Sequence, residues 1–265
     1  MSQIHKPRKR FGQNFLHDHS VIENIVASVL VKPGDHIVEI GPGKGALTER
    51  LLRPDIQLDI VELDRDLVTL LEKKFSCQEN LRVYSADALQ FDFSALNKQN
   101  EKLRMVGNLP YNISTPLLFH LFENVGCISD MYFMLQKQVV DRICAQPGSK
   151  KYGRLSVMSQ YFCRPQMLFE VAPESFDPSP KVMSAVIRLV PHGEPKVEVL
   201  SRACLDRIVK QAFSQRRKTL RNSLRGLISE QTIKSLSIDS GLRAEALSLH
   251  DFAKLSNALY EKCKN

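Results

Sequence analysis

Ile37-Val38-Glu39-Ile40-Gly41-Pro42-Gly43-Lys44-Gly45 is the stretch on which the fold turns. Four residues of strand character run into three glycines spaced one residue apart, and Ala46 to Leu52 reads as a helix beyond them. A strand that breaks on a glycine turn and re-enters as a helix opens a βαβ unit. The alternation then repeats. Leu58 to Leu63 is a second strand with Glu62 and Asp64 at its end, and Leu67 to Phe75 a second helix. Leu81 to Ala86 is a third strand ending at Asp87, and Met105 to Leu109 and Met131 to Leu135 are strands on either side of a helix from Ser114 to Phe122. This order predicts an α/β fold with a doubly wound, mostly parallel Rossmann-like sheet, whose ligands sit at the carboxyl ends of the strands. The loops after the first four strands should therefore converge.

Upstream, residues 1 to 17 form a basic arm, Lys6 to Arg10, that ends in Phe11-Gly-Gln-Asn-Phe-Leu16; two Phe and a Leu beside amide side chains imply that something packs on it. Ser20-x-x-Glu23 reads as a capping box, followed by an apolar face of Val21, Ile22, Ile25, Val26, Val29 and Leu30. Downstream come helices near Lys137 to Ala145 and Arg154 to Phe162, then a strand from Met167 to Val171. Phe176-Asp-Pro-Ser-Pro-Lys181 joins it to strand-like Val182 to Val190, a hairpin added to the sheet edge. Pro191 to Pro195 reads as a linker. Beyond it only helical periodicity remains, over Val197 to Phe213, Lys218 to Ile228 and His250 to Lys262, the last capped by Ser248-x-x-Asp251. Two domains are expected, 1–191 and a small all-helical one at 192–265.

With 43% apolar and 25% charged residues in 265, the chain has the composition of a soluble globular protein. No apolar run reaches the ~20 residues of a membrane span. The basic start leads into Phe11-Gly12-Gln13-Asn14 rather than an apolar segment, which points to a cytoplasmic protein. Six cysteines show no Cys-x-x-Cys spacing, so reduced, mostly buried thiols and no metal are expected. The net charge of +8 favours a polyanionic partner. Lys210, Arg216, Arg217, Lys218, Arg221 and Arg225 carry much of it, with no acid between Asp206 and Glu230; helical spacing would put Lys218, Arg221 and Arg225 on one face. Such a face either grips nucleic-acid phosphates or is simply solvated.

Gly41-x-Gly43-x-x-Ala46 satisfies the dinucleotide fingerprint, and Glu62 lies where a carboxylate would accept both ribose hydroxyls, a chemistry shared by NAD and S-adenosylmethionine. The loop alone does not separate them. Asp87, suited to an adenine amine, and Asn108-Leu109-Pro110-Tyr111 after the fourth strand tip the balance to S-adenosylmethionine. Pro110 stops that strand from continuing as a ladder partner. An Asn carboxamide oxygen and the Pro110 carbonyl can accept the two hydrogens of an exocyclic amine, while the Tyr111 ring stacks on the base.

These motifs, in this order, resemble the rRNA adenine N6,N6-dimethyltransferases, and within them the bacterial small-subunit (16S) branch linked to kasugamycin sensitivity. The likeness rests on Phe11-Gly-Gln-Asn-Phe-Leu16, Glu39-Ile-Gly-Pro-Gly-Lys-Gly45, Val61-Glu-Leu-Asp64, Asp87-Ala88, Asn108-Leu-Pro-Tyr111, Phe176-x-Pro-x-Pro-Lys-Val182 and Ala212-Phe-Ser-Gln-Arg-Arg-Lys218. The resemblance implies that Asn14, Leu16, Gly41, Glu62, Asp87 and Asn108 contact S-adenosylmethionine, with Gly43 in the same turn. It implies too that Asn108, the Pro110 carbonyl, Tyr111 and Phe176 hold the target adenine. The implied substrate is two adjacent adenosines in a hairpin loop near the 3′ end of 16S rRNA, in a small ribosomal subunit under assembly. Two other readings stay open: a non-catalytic assembly factor, and a DNA adenine methyltransferase, although the latter usually has an acidic first residue or a second Pro in the Asn-x-Pro-Tyr slot.

Overall fold

A computed structural model of the chain describes residues 13–97 and 101–264; the basic stretch Lys6–Arg10 and the residues Phe11 and Gly12 lie outside the described residues. The chain divides into two compact units, one holding the residues up to Val140 with Gln166–Pro191, the other Asp141–Pro165 with the residues from His192 on.

The first unit contains β1 (Phe15–Leu16), α1 (His19–Val29), β2 (His36–Ile40), α2 (Thr48–Leu51), β3 (Gln57–Glu62), α3 (Arg65–Lys74), β4 (Leu81–Ser85), β5 (Leu103–Asn108), α4 (Ser114–Glu123) and β6 (Ile128–Gln136). After α5 (Lys137–Ile143) and α6 (Arg154–Phe162) the chain returns as β7 (Cys163–Val171), β8 (Phe176–Asp177) and β9 (Ser184–Pro191). Seven strands form one sheet in the order β4-β3-β2-β5-β6-β9-β7. The first five are parallel and β9 runs antiparallel to β6. From β2 the chain winds outward through β3 and β4, then crosses to the opposite side of β2 for β5. That reversal opens a crevice at the carboxyl ends of β2 and β5.

Burial on both faces explains the near-continuous apolar strands: Ile37, Leu58, Ile60, Val106 and Met134 belong to one buried cluster. Gly107 is required where β5 meets β2, because a Cβ there would lie 2.5 Å from the Ile40 carbonyl oxygen. Below the apolar layer, Arg104 of β5 holds a buried polar junction. Its guanidinium donates to both carboxylate oxygens of Asp130 (Nε–Oδ1 2.9 Å, Nη2–Oδ2 2.8 Å), to Asp35 (2.6 Å) and to the Val29 carbonyl at the end of α1 (2.6 Å). Tyr132 adds a hydroxyl bond to Asp130 at 3.1 Å.

The second unit contains α6, α7 (Arg202–Ser214), α8 (Leu220–Ser223), α9 (Glu230–Ser235) and α10 (Leu249–Lys264). Tyr152 is buried beside Phe213, which in turn meets Phe252. The cap of α10 forms as the sequence indicates, with Asp251 N–H donating to Ser248 Oγ at 3.2 Å and Ser248 N–H to Asp251 Oδ2 at 3.0 Å.

Four expectations change. Residues 141–165, which end in the first residues of β7, group with the C-terminal helices. The cap of α1 is Asp18, which accepts the Ser20 and Val21 N–H groups, so Ser20 lies inside the helix. The helix over Lys218–Ile228 shrinks to α8, because the Leu220 and Arg221 N–H groups bond to the Leu242 and Ser240 carbonyls and Gly226 adopts φ +91°. Lys218, Arg221 and Arg225 thus share no helix face. All six cysteines are free, but only Cys127 and Cys163 are buried.

Candidate active site

A cavity of about 440 Å³ lies at the carboxyl ends of β2, β3 and β5, walled by the loops after them and after β4 and closed by residues 13–17. Asn14, Leu16, Gly41, Gly43, Glu62, Asp87, Asn108, Pro110 and Tyr111 all line it.

The glycine turn builds its floor. Gly41 and Gly43 adopt φ +66° and +59°, a left-handed conformation that side chains disfavour. Gly41 N–H bonds to the Val61 carbonyl at 3.0 Å, which pins the turn to β3. A Cβ on Gly43 would come 3.0 Å from the Phe15 ring, which lies over the turn with Lys44 Nζ 4.6 Å from its centroid.

Two carboxylates stand beside this turn. Glu62, only 7% exposed, accepts the Asp64 N–H at 2.9 Å and the Gly43 N–H at 3.4 Å. Burial raises its pKa, and those N–H bonds oppose the rise. Glu39, 1% exposed in the middle of β2, accepts a 2.6 Å bond from Thr48 Oγ1, and burial pushes its carboxyl up to about 7. In the sequence the only signal for Glu39 is an acidic residue inside an apolar strand. On the far wall Asp87 is held by the Leu89 N–H at 2.9 Å.

Glu39 sets a pH dependence of stability. Its native carboxyl binds a proton more tightly than the ordinary value of 4.5 allows, so stability falls as pH rises from 4.5 to about 7, and the cost is complete above that. Glu39→Gln keeps an acceptor for Thr48. It should match the parent near pH 4 and exceed it at pH 8 by up to about 3 kcal/mol. Denaturant unfolding across that range checks this, and a gap independent of pH would count against it.

On the β5 side, Asn108 Nδ2 donates to the Asn14 carbonyl at 3.0 Å, which leaves its Oδ1 as the acceptor end. The Tyr111 hydroxyl bonds to Ser184 Oγ at 2.6 Å, and burial raises its pKa. The Pro110 carbonyl accepts the Ile113 N–H at 3.2 Å. Leu109 also lies in the cavity wall; an apolar residue between Asn108 and Pro110 gives no signal of that in the sequence.

Phe176 is not brought into the cavity wall. It is 3% exposed, pairs with Leu16 across β1 and β8, and joins the apolar core; Asp177, the next residue, faces the cavity instead. Strand alternation gives the two opposite orientations.

In the second unit, the six basic candidates are all exposed. Arg216 is partly committed, since its Nη2 donates to the Lys150 and Tyr152 carbonyls at 2.9 and 2.7 Å. Arg221 and Arg225 border a surface groove with Lys262. No cluster of His, Cys, Asp and Glu fit for a metal occurs among the described residues, and no helix there is long and apolar enough to cross a membrane.

Residues 4–261 match the family described as Ribosomal RNA adenine dimethylase. Ribosomal RNA small subunit methyltransferase A of Pseudomonas fluorescens is 52% identical over 97% of this chain and 95% of its own length. The protein of that name from Pseudomonas aeruginosa is 52% identical over 98% of each chain. Among solved structures, a dimethyladenosine transferase from Plasmodium falciparum superposes with a TM-score of 0.78 at 26% identity, covering 94% of this chain and 98% of that one. The 23S rRNA methyltransferase ErmE gives 0.70 at 25% identity, covering 93% and 100%.

Proposed function

This chain belongs to the ribosomal RNA adenine dimethylase family, and from that we propose how its cavity works and which RNA it serves. It is an S-adenosylmethionine-dependent rRNA adenine N6,N6-dimethyltransferase. The proposed substrate is a pair of adjacent adenosines in a 3′-terminal hairpin loop of 16S rRNA, modified within the small ribosomal subunit or its precursor by a monomeric, cytoplasmic enzyme. The observation that carries the site assignment is the convergence of the Asn108–Tyr111 turn with the Gly41–Gly43 turn and Glu62 on one cavity.

The residues fit the cofactor. Its ribose hydroxyls suit Glu62, its adenine amine suits Asp87, and Gly41, Gly43, Asn14, Leu16 and Asn108 surround the remainder. When bound, S-adenosylmethionine supplies a methyl group on a sulfonium already activated for in-line displacement. The chain's task is then to place a poor nucleophile, since the adenine amine shares its lone pair with the ring. Asn108 Oδ1 accepts one amine hydrogen. A carbonyl of the turn accepts the other: Pro110, with the lone pair left beside its bond to the Ile113 N–H, or Leu109. Two such bonds draw the nitrogen toward tetrahedral geometry and disperse the positive charge that develops on it. Tyr111 stacks on the base, which must leave its own stack to reach the slot. A Phe176 contact with the base would need β8 to shift.

The decisive experiment is labelled methyl transfer to unmethylated small subunits, naked rRNA and DNA in parallel, with nucleoside analysis. Dimethyladenosine in the subunits supports the proposal; transfer to DNA alone overturns it. Arg217, Arg221, Arg225, Lys218 and Lys210, with Arg216 in part, are proposed to grip rRNA phosphates. Reversing the charges at Arg217 and Arg221 should weaken RNA binding and reduce the slope of log affinity against log salt by about 1–2. Binding titrations at several salt concentrations measure this, and an unchanged slope removes the patch from the interface.

A further inference from the structure

Within residues 13–17, which close the cavity, Gln13 and Asn14 make hydrogen bonds whose roles differ from those of their apolar neighbours. Gln13 Nε2 donates to Asp64 Oδ2 at 3.1 Å. Asp64 is a rigid anchor: it is 1% exposed, it caps α3 by accepting the Asp66 N–H at 3.1 Å, and its own N–H is held by Glu62. One residue later, the Asn14 carbonyl receives Asn108 Nδ2 at 3.0 Å. A carboxamide has a donor end and an acceptor end of nearly equal size, and only its surroundings decide which points where. With the donor end held by Asn14, the acceptor end is left for the amine. Turned over, Asn108 would present N–H groups to N–H groups.

From this arrangement we infer that Gln13 is a positioning residue for methyl transfer: its bond to Asp64 holds the Asn14 carbonyl where it keeps Asn108 Oδ1 toward the target amine. The inference rests on the role proposed above for Asn108. It makes the N-terminal segment more than a cover over the cofactor. The strength of the bond follows from its chemistry, because an amide N–H to a carboxylate is charge-assisted and the acceptor is buried. The other end of the segment is fixed independently, by His17 N–H to the Ser175 carbonyl at 3.0 Å and by the β1–β8 pairing. On this inference, loss of the Gln13 bond shifts Asn14 while Leu16 stays in the core.

The test uses the full chain, unmethylated small subunits and saturating S-adenosylmethionine. Gln13→Leu should lower kcat by about 10- to 100-fold, the range expected when a reacting group is misplaced by a distant change, with a smaller change in KM for the cofactor. The product should shift toward monomethyladenosine. The singly methylated amine has one N–H left and depends more on a correctly turned acceptor. Gln13→Lys, which restores a donor to Asp64, should recover kcat and the dimethylated product, whereas Gln13→Glu should behave like Gln13→Leu. Normal kcat in Gln13→Leu overturns the inference, as does a defect confined to cofactor KM or one that Gln13→Lys does not relieve. An inactive Asn108→Ala beside a normal Gln13→Leu sinks this inference alone, while an active Asn108→Ala sinks the reading beneath it.

Discussion

Asn108→Ala should abolish methyl transfer, with kcat lower by about 10²–10³-fold or more, the loss found when one preorganised hydrogen-bonding group facing a developing charge is deleted. In the proposed role the side chain supplies an acceptor for the amine, and it meets the Asn14 carbonyl at 3.0 Å, so alanine would remove both interactions at once. Cofactor affinity should fall by no more than about 10-fold, since it loses at most one hydrogen bond of ordinary strength. The fold should survive, because Asn108 ends β5 at the cavity and is only half-buried. Single-turnover transfer to small subunits, with a calorimetric titration of S-adenosylmethionine, separates these effects. Near-normal turnover would remove Asn108 from the reaction. The variant also isolates the docking role: if it still supports subunit maturation, binding and methylation are separable acts.

Arg104→Met should be the most damaging single change to stability. Arg104 is 8% exposed, yet it neutralises Asp130 and pairs with Asp35, and it satisfies a carbonyl at the end of α1. Its guanidinium pKa is raised because hydrogen bonds to both carboxylates outweigh burial, which alone would lower it. Removing one partner of a buried ion pair costs about 3–5 kcal/mol, because a buried charge loses its close partner; here Asp130 would keep, among the described residues, only Arg188 as a cationic partner, 3.9 Å away. At about 2–4 °C per kcal/mol for a protein of this size, thermal unfolding should move down by roughly 6–20 °C. Adding Asp130→Asn should return part of that loss, since it discharges the group left behind. A loss under 1 kcal/mol in Arg104→Met, or a double variant worse than the sum of its parts, would contradict this account of the junction.

Much of the sheet was legible because β2 and β3 carry their own apolar runs and end in a glycine turn or an acidic pair; Ile37–Ile40 and Leu58–Leu63 need no distant partner to be recognised. The convergence of Glu62, Asp87 and Asn108 follows from doubly wound topology alone. What escaped depends on atoms far along the chain. The helix over 218–228 is cut short by carbonyls from Ser240 and Leu242, and the α1 cap fell to Asp18 rather than to a nearby serine with an equally suitable pattern. Phe176 has the same composition signal whether it faces a base or the core; only the register with Leu16 decides. Glu39 hid inside a strand that otherwise looks wholly apolar.

Neither unit is a continuous length of chain, and this bears on how the protein is made. During synthesis α6 and the turn holding Tyr152 emerge before β7 and β9, so the sheet can finish only after an unfinished helical piece has been left waiting. Tyr152 lacks its Phe213 neighbour until some sixty further residues have been added. A truncation after Pro191 freezes that moment permanently, and the exposed piece invites aggregation and proteolysis. Separating the units therefore calls for a linker that joins Val140 to Gln166, not for a stop codon.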